Sequence, residues 1–131
     1  MIKANELRVG NWIQRRGKPI QIISIQTIGT KGYIITATYQ GLGSEYISDD
    51  DQLQPIPLTR ELLEEAGFEK VNNGIGLRVL EGYVYISSLF TGFPLTLDID
   101  GNRMPLREIK YLHQLHNLYF SLTNQELTIH L

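Results

Sequence analysis

The chain has 131 residues, 42% hydrophobic and 20% charged, with a formal net charge of -2. These are values of an ordinary single globular domain; they exclude the disordered class and point to no particular partner. Cysteine is absent, which excludes disulfides, zinc ribbons, iron–sulfur clusters and thiol nucleophiles, and no window approaches the roughly 18 apolar residues of a membrane span or the apolar core of a signal peptide.

A reducing cytoplasm is the expected setting, with no membrane partner. Charge is uneven along the chain. Up to Ser48 the basic residues are Lys3, Arg8, Arg15, Arg16, Lys18 and Lys31, against Glu6 and Glu45. Asp49, Asp50 and Asp51 end that excess.

The first part reads as strands at Asn11 to Arg15, Ile20 to Ile28 and Tyr33 to Tyr39, with short pieces near Glu45 to Ile47 and Gln52 to Ile56. Glycine-bearing turns separate them, among them Arg16-Gly17-Lys18 and Gly41-Leu42-Gly43-Ser44. Five short strands in so few residues predict a small SH3-like β-barrel. Within the second strand the apolar parity changes, Ile20 and Ile22 facing one way and Ile23 and Ile25 the other; a bulge or a sharp bend reconciles them.

A helix follows over Arg60 to Ala66. Thr59 is its N-cap, Glu61 suits the positive end of the helix dipole, and Leu58 staples onto Leu63. Gly67 ends it as a left-handed C′ residue, with Phe68 covering Leu63. Strands are expected at Ile75 to Leu80, Tyr83 to Leu89 and Phe93 to Ile99, then a helix from Ile109 to Leu122, and a closing strand in which Leu127, Ile129 and Leu131 alternate with polar residues. The order makes an α+β chain: a barrel lobe over residues 1–56, then an α-β-β-β-α-β lobe over 57–131 with an antiparallel sheet, the two folding as one compact unit.

On a helical wheel the last helix is apolar over roughly 200°, wider than a surface helix needs, with His116 inside the arc and His113 at its edge. Histidines three apart share a face, so His113 and His116 are candidate metal ligands with Glu108 as a carboxylate. The competing reading is a pair of core or interface histidines bonded to a tyrosine or a carbonyl, and the missing His-Glu-x-x-His pattern favours it.

Other motifs resolve into turns. Asp98-x-Asp100-Gly101-Asn102 opens like a calcium loop but lacks the later oxygen ligands, so an Asp-Gly hairpin turn, or a loop leading to the helix behind Pro105, is the simpler reading. Gly41-x-Gly43 and Gly74-x-Gly76 lack the lysine and the strand-to-helix context of a phosphate loop. No catalytic motif and no cofactor motif is found.

Two surfaces are candidates for binding. Arg15, Arg16 and Lys18 on one hairpin, with Trp12, Tyr33 and Tyr39 from the same lobe, suit a single-stranded nucleic acid; the alternative is that the aromatic residues fill a core. Tyr83 and Tyr85 point away from Val84 and Ile86, and beside Phe90 they suit a contact with a protein partner or with a second copy.

The opening Lys3-Ala4-Asn5-Glu6-Leu7-Arg8-Val9-Gly10-Asn11-Trp12, the central Pro55-Ile56-Pro57-Leu58-Thr59 and the ending from Ile109 to Thr123 resemble a group of small uncharacterised proteins of gut bacteria and their phages or mobile elements. The resemblance touches both ends and the centre. It implies a bacterial or phage cytoplasmic origin and carries over no functional residue. The family ending usually reads close to His-Gln-Leu-Gln-Asn-Leu-Tyr-Phe; this chain departs from it at His116, which weighs against that histidine as an essential ligand. The expected function is that of a small non-enzymatic binding or accessory protein, with nucleic-acid binding through the first lobe as the alternative.

Overall fold

A computed structural model describes residues 2, 6–27, 33–39, 42–48, 53–71, 74–79, 82–87, 95–99, 101–106, 108–129 and 131. The chain divides into two compact units. One comprises Met1–Pro57, Tyr111–Asn117 and Leu131, the other Leu58–Lys110 and Leu118–His130. Neither unit is a single run of sequence, because the first also takes in Tyr111–Asn117.

The first unit holds β1 (Trp12–Arg15), β2 (Lys18–Thr27), β3 (Tyr33–Tyr39), β4 (Leu42–Ser48) and β5 (Leu53–Gln54). They form one antiparallel sheet in the order β4-β3-β2-β1-β5. Arg16 and Gly17 turn β1 into β2 with φ of 53° and 77°, the backbone of a two-residue hairpin whose twist matches its strands. Among the described residues no ladder joins β4 to β5, so the barrel expected from the sequence is not closed. With two residues, β5 reaches only Gln14 and Arg15 at the far end of β1.

The parity change in β2 is a bulge. Ile22 pairs with Ala37 and Ser24 with Thr36, leaving Ile23 as one extra residue. Ile20 and Ile22 therefore stay in the core, Ile25 packs against the same cluster, and Ile23 alone turns outward at 45% exposure. Ile13, Ile35, Ala37 and Leu53 complete that cluster from the sheet, and Ile2 and Leu7 complete it from the start of the chain.

The second unit begins with α1 (Arg60–Glu65). The Thr59 hydroxyl accepts from the Leu62 N–H at 3.2 Å. At the other end the Gly67 N–H donates to the Glu64 carbonyl and the Phe68 N–H to the Leu63 carbonyl, both at 3.0 Å. This is the Schellman pattern, and it requires the left-handed backbone that Gly67 supplies at φ 104°. Leu58, Leu63, Ala66 and Phe68 are buried by this arrangement.

Next come β6 (Glu69–Val71), β7 (Gly74–Val79), β8 (Gly82–Ser87), β9 (Leu95–Ile99) and β10 (Asn102–Pro105), an antiparallel meander in the order β10-β9-β8-β7-β6. Ile75, Leu77, Val79, Val84 and Ile86 form its buried face. A methyl group on Gly67 would lie 3.4 Å from Leu77, which places the end of α1 against that face.

The sequence reading lacks β6 and β10. Both are short edge strands without apolar alternation, and they are positioned by the hairpins they close. The expected closing strand is not formed among the described residues. Leu127 and Ile129 are buried and Glu126 and Thr128 exposed, as alternation requires, but without a ladder.

The last helix, α2, spans Leu112–Thr123 and contributes its first half to one unit and its second half to the other. It begins three residues later than its periodicity predicts, because Tyr111 bridges to Pro57 and the Leu112 N–H donates to the Ile56 carbonyl at 2.9 Å. The Gln114 side chain then accepts from the Tyr111 N–H at 3.1 Å, which is half of a capping box. Leu112, His113, Leu115 and His116 are buried, whereas Leu118, Tyr119 and Phe120 are only half-buried. Among the described residues no helix is long and apolar enough to cross a membrane.

Candidate functional site

The basic hairpin and the tryptophan do not come together. Successive residues of a strand point to opposite faces, so Arg15 and Lys18, a cross-strand pair, share the face of Ile13 and Ile20, and Trp12 lies on the other. Trp12 is 7% exposed and unavailable as a stacking platform. Arg16 and Lys18 are exposed at the turn, and Arg15 is half-buried. Tyr33 pairs with Thr27 through its backbone, and its side chain lies outside the described residues, as does that of Tyr39.

The histidines are core residues. His113 is 2% exposed and His116 is also buried. His113 stacks on Tyr111 with ring centroids 6.0 Å apart and planes 7° from parallel. Neither ring nitrogen of His113 has a hydrogen-bond partner among the described residues. Burial pushes its pKa below the ordinary value, and the Glu6 carboxylate partly offsets that. Glu108 is exposed, and among the described residues no group of three metal-ligating side chains assembles. The Asp-Gly hairpin holds the place of the calcium motif: Ile99 pairs with Asn102, and the Asp98 side chain accepts from the Gly101 N–H at 3.1 Å. Asp49, Asp50, Asp51, Asp100 and His130 lie outside the described residues.

The tyrosine face is where polar and aromatic groups converge. Period-2 alternation buries Val84 and Ile86 and turns Tyr83 and Tyr85 outward from the central strand of the second sheet. Tyr83 is 44% exposed and Tyr85 half-buried. Ladder register sets Arg78, Tyr83, Asp98 and Arg103 side by side across four strands. The Arg103 Nε lies 3.4 Å from Asp98, and its guanidinium carbon lies 5.6 Å from the Tyr85 ring centre. Arg78 is exposed and has no ion-pair partner among the described residues.

Gly74 and Gly76 are strand residues here, not a turn, and stand opposite Ser87 and Tyr85. The Tyr85 hydroxyl lies 2.9 Å from where a Cβ on Gly74 would be, so the ring occupies the room that a side chain there would fill. Phe90, expected beside the tyrosines, lies outside the described residues.

Sequence reasoning missed Arg78 and Arg103, and read Asp98 only as part of a calcium-like turn. The signal was present in the hairpin: a two-residue Asp-Gly loop pairs residue 99 with 102 and therefore 98 with 103. The face offers one exposed and one half-buried tyrosine ring, two guanidinium groups and a carboxylate, which together suit stacking, cation–π and ion-pair contacts. Compared with protein families, with curated proteins and with solved structures, the chain matches none.

Proposed function

We propose that the chain is a small non-enzymatic binding or accessory protein, of the bacterial, phage or mobile-element kind that its ends and centre resemble, and that it engages a protein partner through the Tyr83–Tyr85 face. One observation carries this reading. Tyr83 stands exposed on the central strand of a sheet, directly beside an arginine that has no partner among the described residues. Tyrosine and arginine are the residue types that concentrate binding energy at interfaces, where truncating one such side chain commonly costs about 2 kcal/mol or more.

The first unit serves in this reading as an SH3-like roll. The long β2 with its bulge supports that, because an extra residue bends a strand and increases its twist. Nucleic-acid binding through Arg15, Arg16 and Lys18 is the reading displaced, since Trp12 lies on the other face of the sheet.

The test is affinity purification of the tagged, nuclease-treated protein after chemical cross-linking, comparing wild type with Tyr83→Ala and with Tyr83→Ala/Tyr85→Ala. A stoichiometric protein, another chain or an untagged copy, should accompany the wild type and be lost from both variants while their melting curves stay cooperative. The same companions on all three proteins would overturn the reading.

A further inference from the structure

The tyrosine face is self-complementary, and we infer that its partner is a second copy of this chain, packed sheet face to sheet face. This rests on the proposed role of that face.

Across the row the order is Arg78, Tyr83, Asp98 and Arg103, one residue from each of β7, β8, β9 and β10. Tyr83 thus has a cation on one side and an anion on the other. A two-fold axis parallel to β8, laid between two copies, keeps Tyr83 opposite the partner's Tyr83 and exchanges the two sides of the row. Arg78 then faces the partner's Asp98, and the contact occurs twice, as an isologous interface requires. Asp98 can take the second guanidinium. It is already ion-paired with Arg103 and accepts from the Gly101 N–H, and a carboxylate has roughly four acceptor positions.

On the outer side, Arg103 is carried toward the β6 edge of the other copy, where Glu69 stands on this same face opposite Gly76. Arg78 thus meets a carboxylate and no carboxylate faces another. Glu69 lies in the row of Gly76, two residues along the strand from the row of Arg78 and Arg103, and Arg103 keeps its own Asp98. Near-aligned packing of sheets about 10 Å apart leaves room for the two layers of tyrosine.

The alternative is addition of a copy to the open edge of the sheet, and β10 is unsuited to it. Its side chains include Arg103, and Pro105 has no N–H to donate, both of which discourage edge pairing.

The face is small. Five strands about 4.8 Å apart and roughly five residues long give about 350 Å² per copy. That is well under the roughly 800 Å² per partner of a standard stable interface, so the dimer is weak and dependent on concentration.

Sedimentation of the full chain over micromolar to millimolar concentrations tests the inference. Wild type should shift from monomer to dimer, and Arg78→Glu and Asp98→Lys should each weaken self-association about tenfold by juxtaposing like charges. Mixed in equal amounts, the two variants should associate with each other, because each copy then supplies what the other has exchanged. Arg78→Glu lies on an exposed side chain and keeps the test valid should Asp98→Lys disturb the hairpin.

Wild type that stays monomeric throughout, or an Arg78→Glu dimer of unchanged strength, would overturn the inference. If a different protein is still lost from Tyr83→Ala in that event, the contact role of the face stands and only the identity of the partner falls. If Tyr83→Ala changes nothing either, both fall.

Discussion

The side-chain amide of Asn11 donates to the side-chain oxygen of Asn117 at 2.9 Å, joining residues 106 positions apart in the chain. The Asn11 oxygen accepts from the Arg8 N–H at 2.7 Å, and the Asn117 amide donates to the Glu6 carbonyl at 3.0 Å. Two amides thus fasten the segment before β1 to the first half of α2. Asn11 is 0% exposed, so its amide has no water to fall back on. Asn117→Ala leaves a buried donor unpaired and is expected to cost about 1–3 kcal/mol. Urea melts of the two proteins check this, and a difference below about 0.5 kcal/mol would show that the amides are not coupled to stability.

Gly74→Ala is expected to be more damaging than Gly17→Ala, although Gly17 has the positive φ. At Gly17 nothing lies within 4 Å of an added Cβ, so the penalty is the backbone conformation alone, about 1 kcal/mol. At Gly74 the Cβ would overlap the Ile86 carbonyl oxygen, and the β7–β8 ladder must open to admit it. A loss exceeding 2 kcal/mol is expected, on the order of other forced overpacking. Thermal melts of both variants give the ranking. Removing the Tyr85 ring in the same chain should not rescue Gly74→Ala, because the nearest atom belongs to the backbone.

Stability should fall on mild acidification because of His113. Its folded pKa is held below the ordinary histidine value of 6.5 by burial, so the unfolded chain binds the proton first. The histidine's contribution is intact above about pH 6.5, begins to be lost as the pH falls through that value, and continues to be lost down to the folded pKa. His113→Leu removes the titration together with two buried nitrogens that lack partners among the described residues. Melting temperatures at pH 7.5 and 5.5 should therefore differ less in the variant than in the wild type. Equal differences would show that the unfolding proton is taken up elsewhere.

What the sequence made legible was local chemistry. Thr59 and Gly67 mark the ends of α1 because a cap is a hydrogen bond within a few residues, and Ile22 and Ile23 mark the bulge because parity is a property of one strand. Illegible were the features set by distant partners. Ile109 to Tyr111 carry a helical pattern, yet Tyr111 is held by Pro57, so the helix starts later. Trp12 reads as platform or as core, and only its burial at 7% exposure decides between them. Tyr83 and Tyr85 could be placed on an outward face from alternation alone, but the arginines beside them depended on ladder register, which only the hairpin loops specify.

The extra residue in β2 also bears on how this chain should be compared with others. Ile22 and Ile25 reach the same core across an interval of three, where an unbroken strand would need an even number. A position-by-position alignment with a sequence whose second strand is regular will match inward residues to outward ones on one side of the bulge. A single-residue gap at Ile23 restores the phase, and without it similarity over the first unit is concealed by one isoleucine.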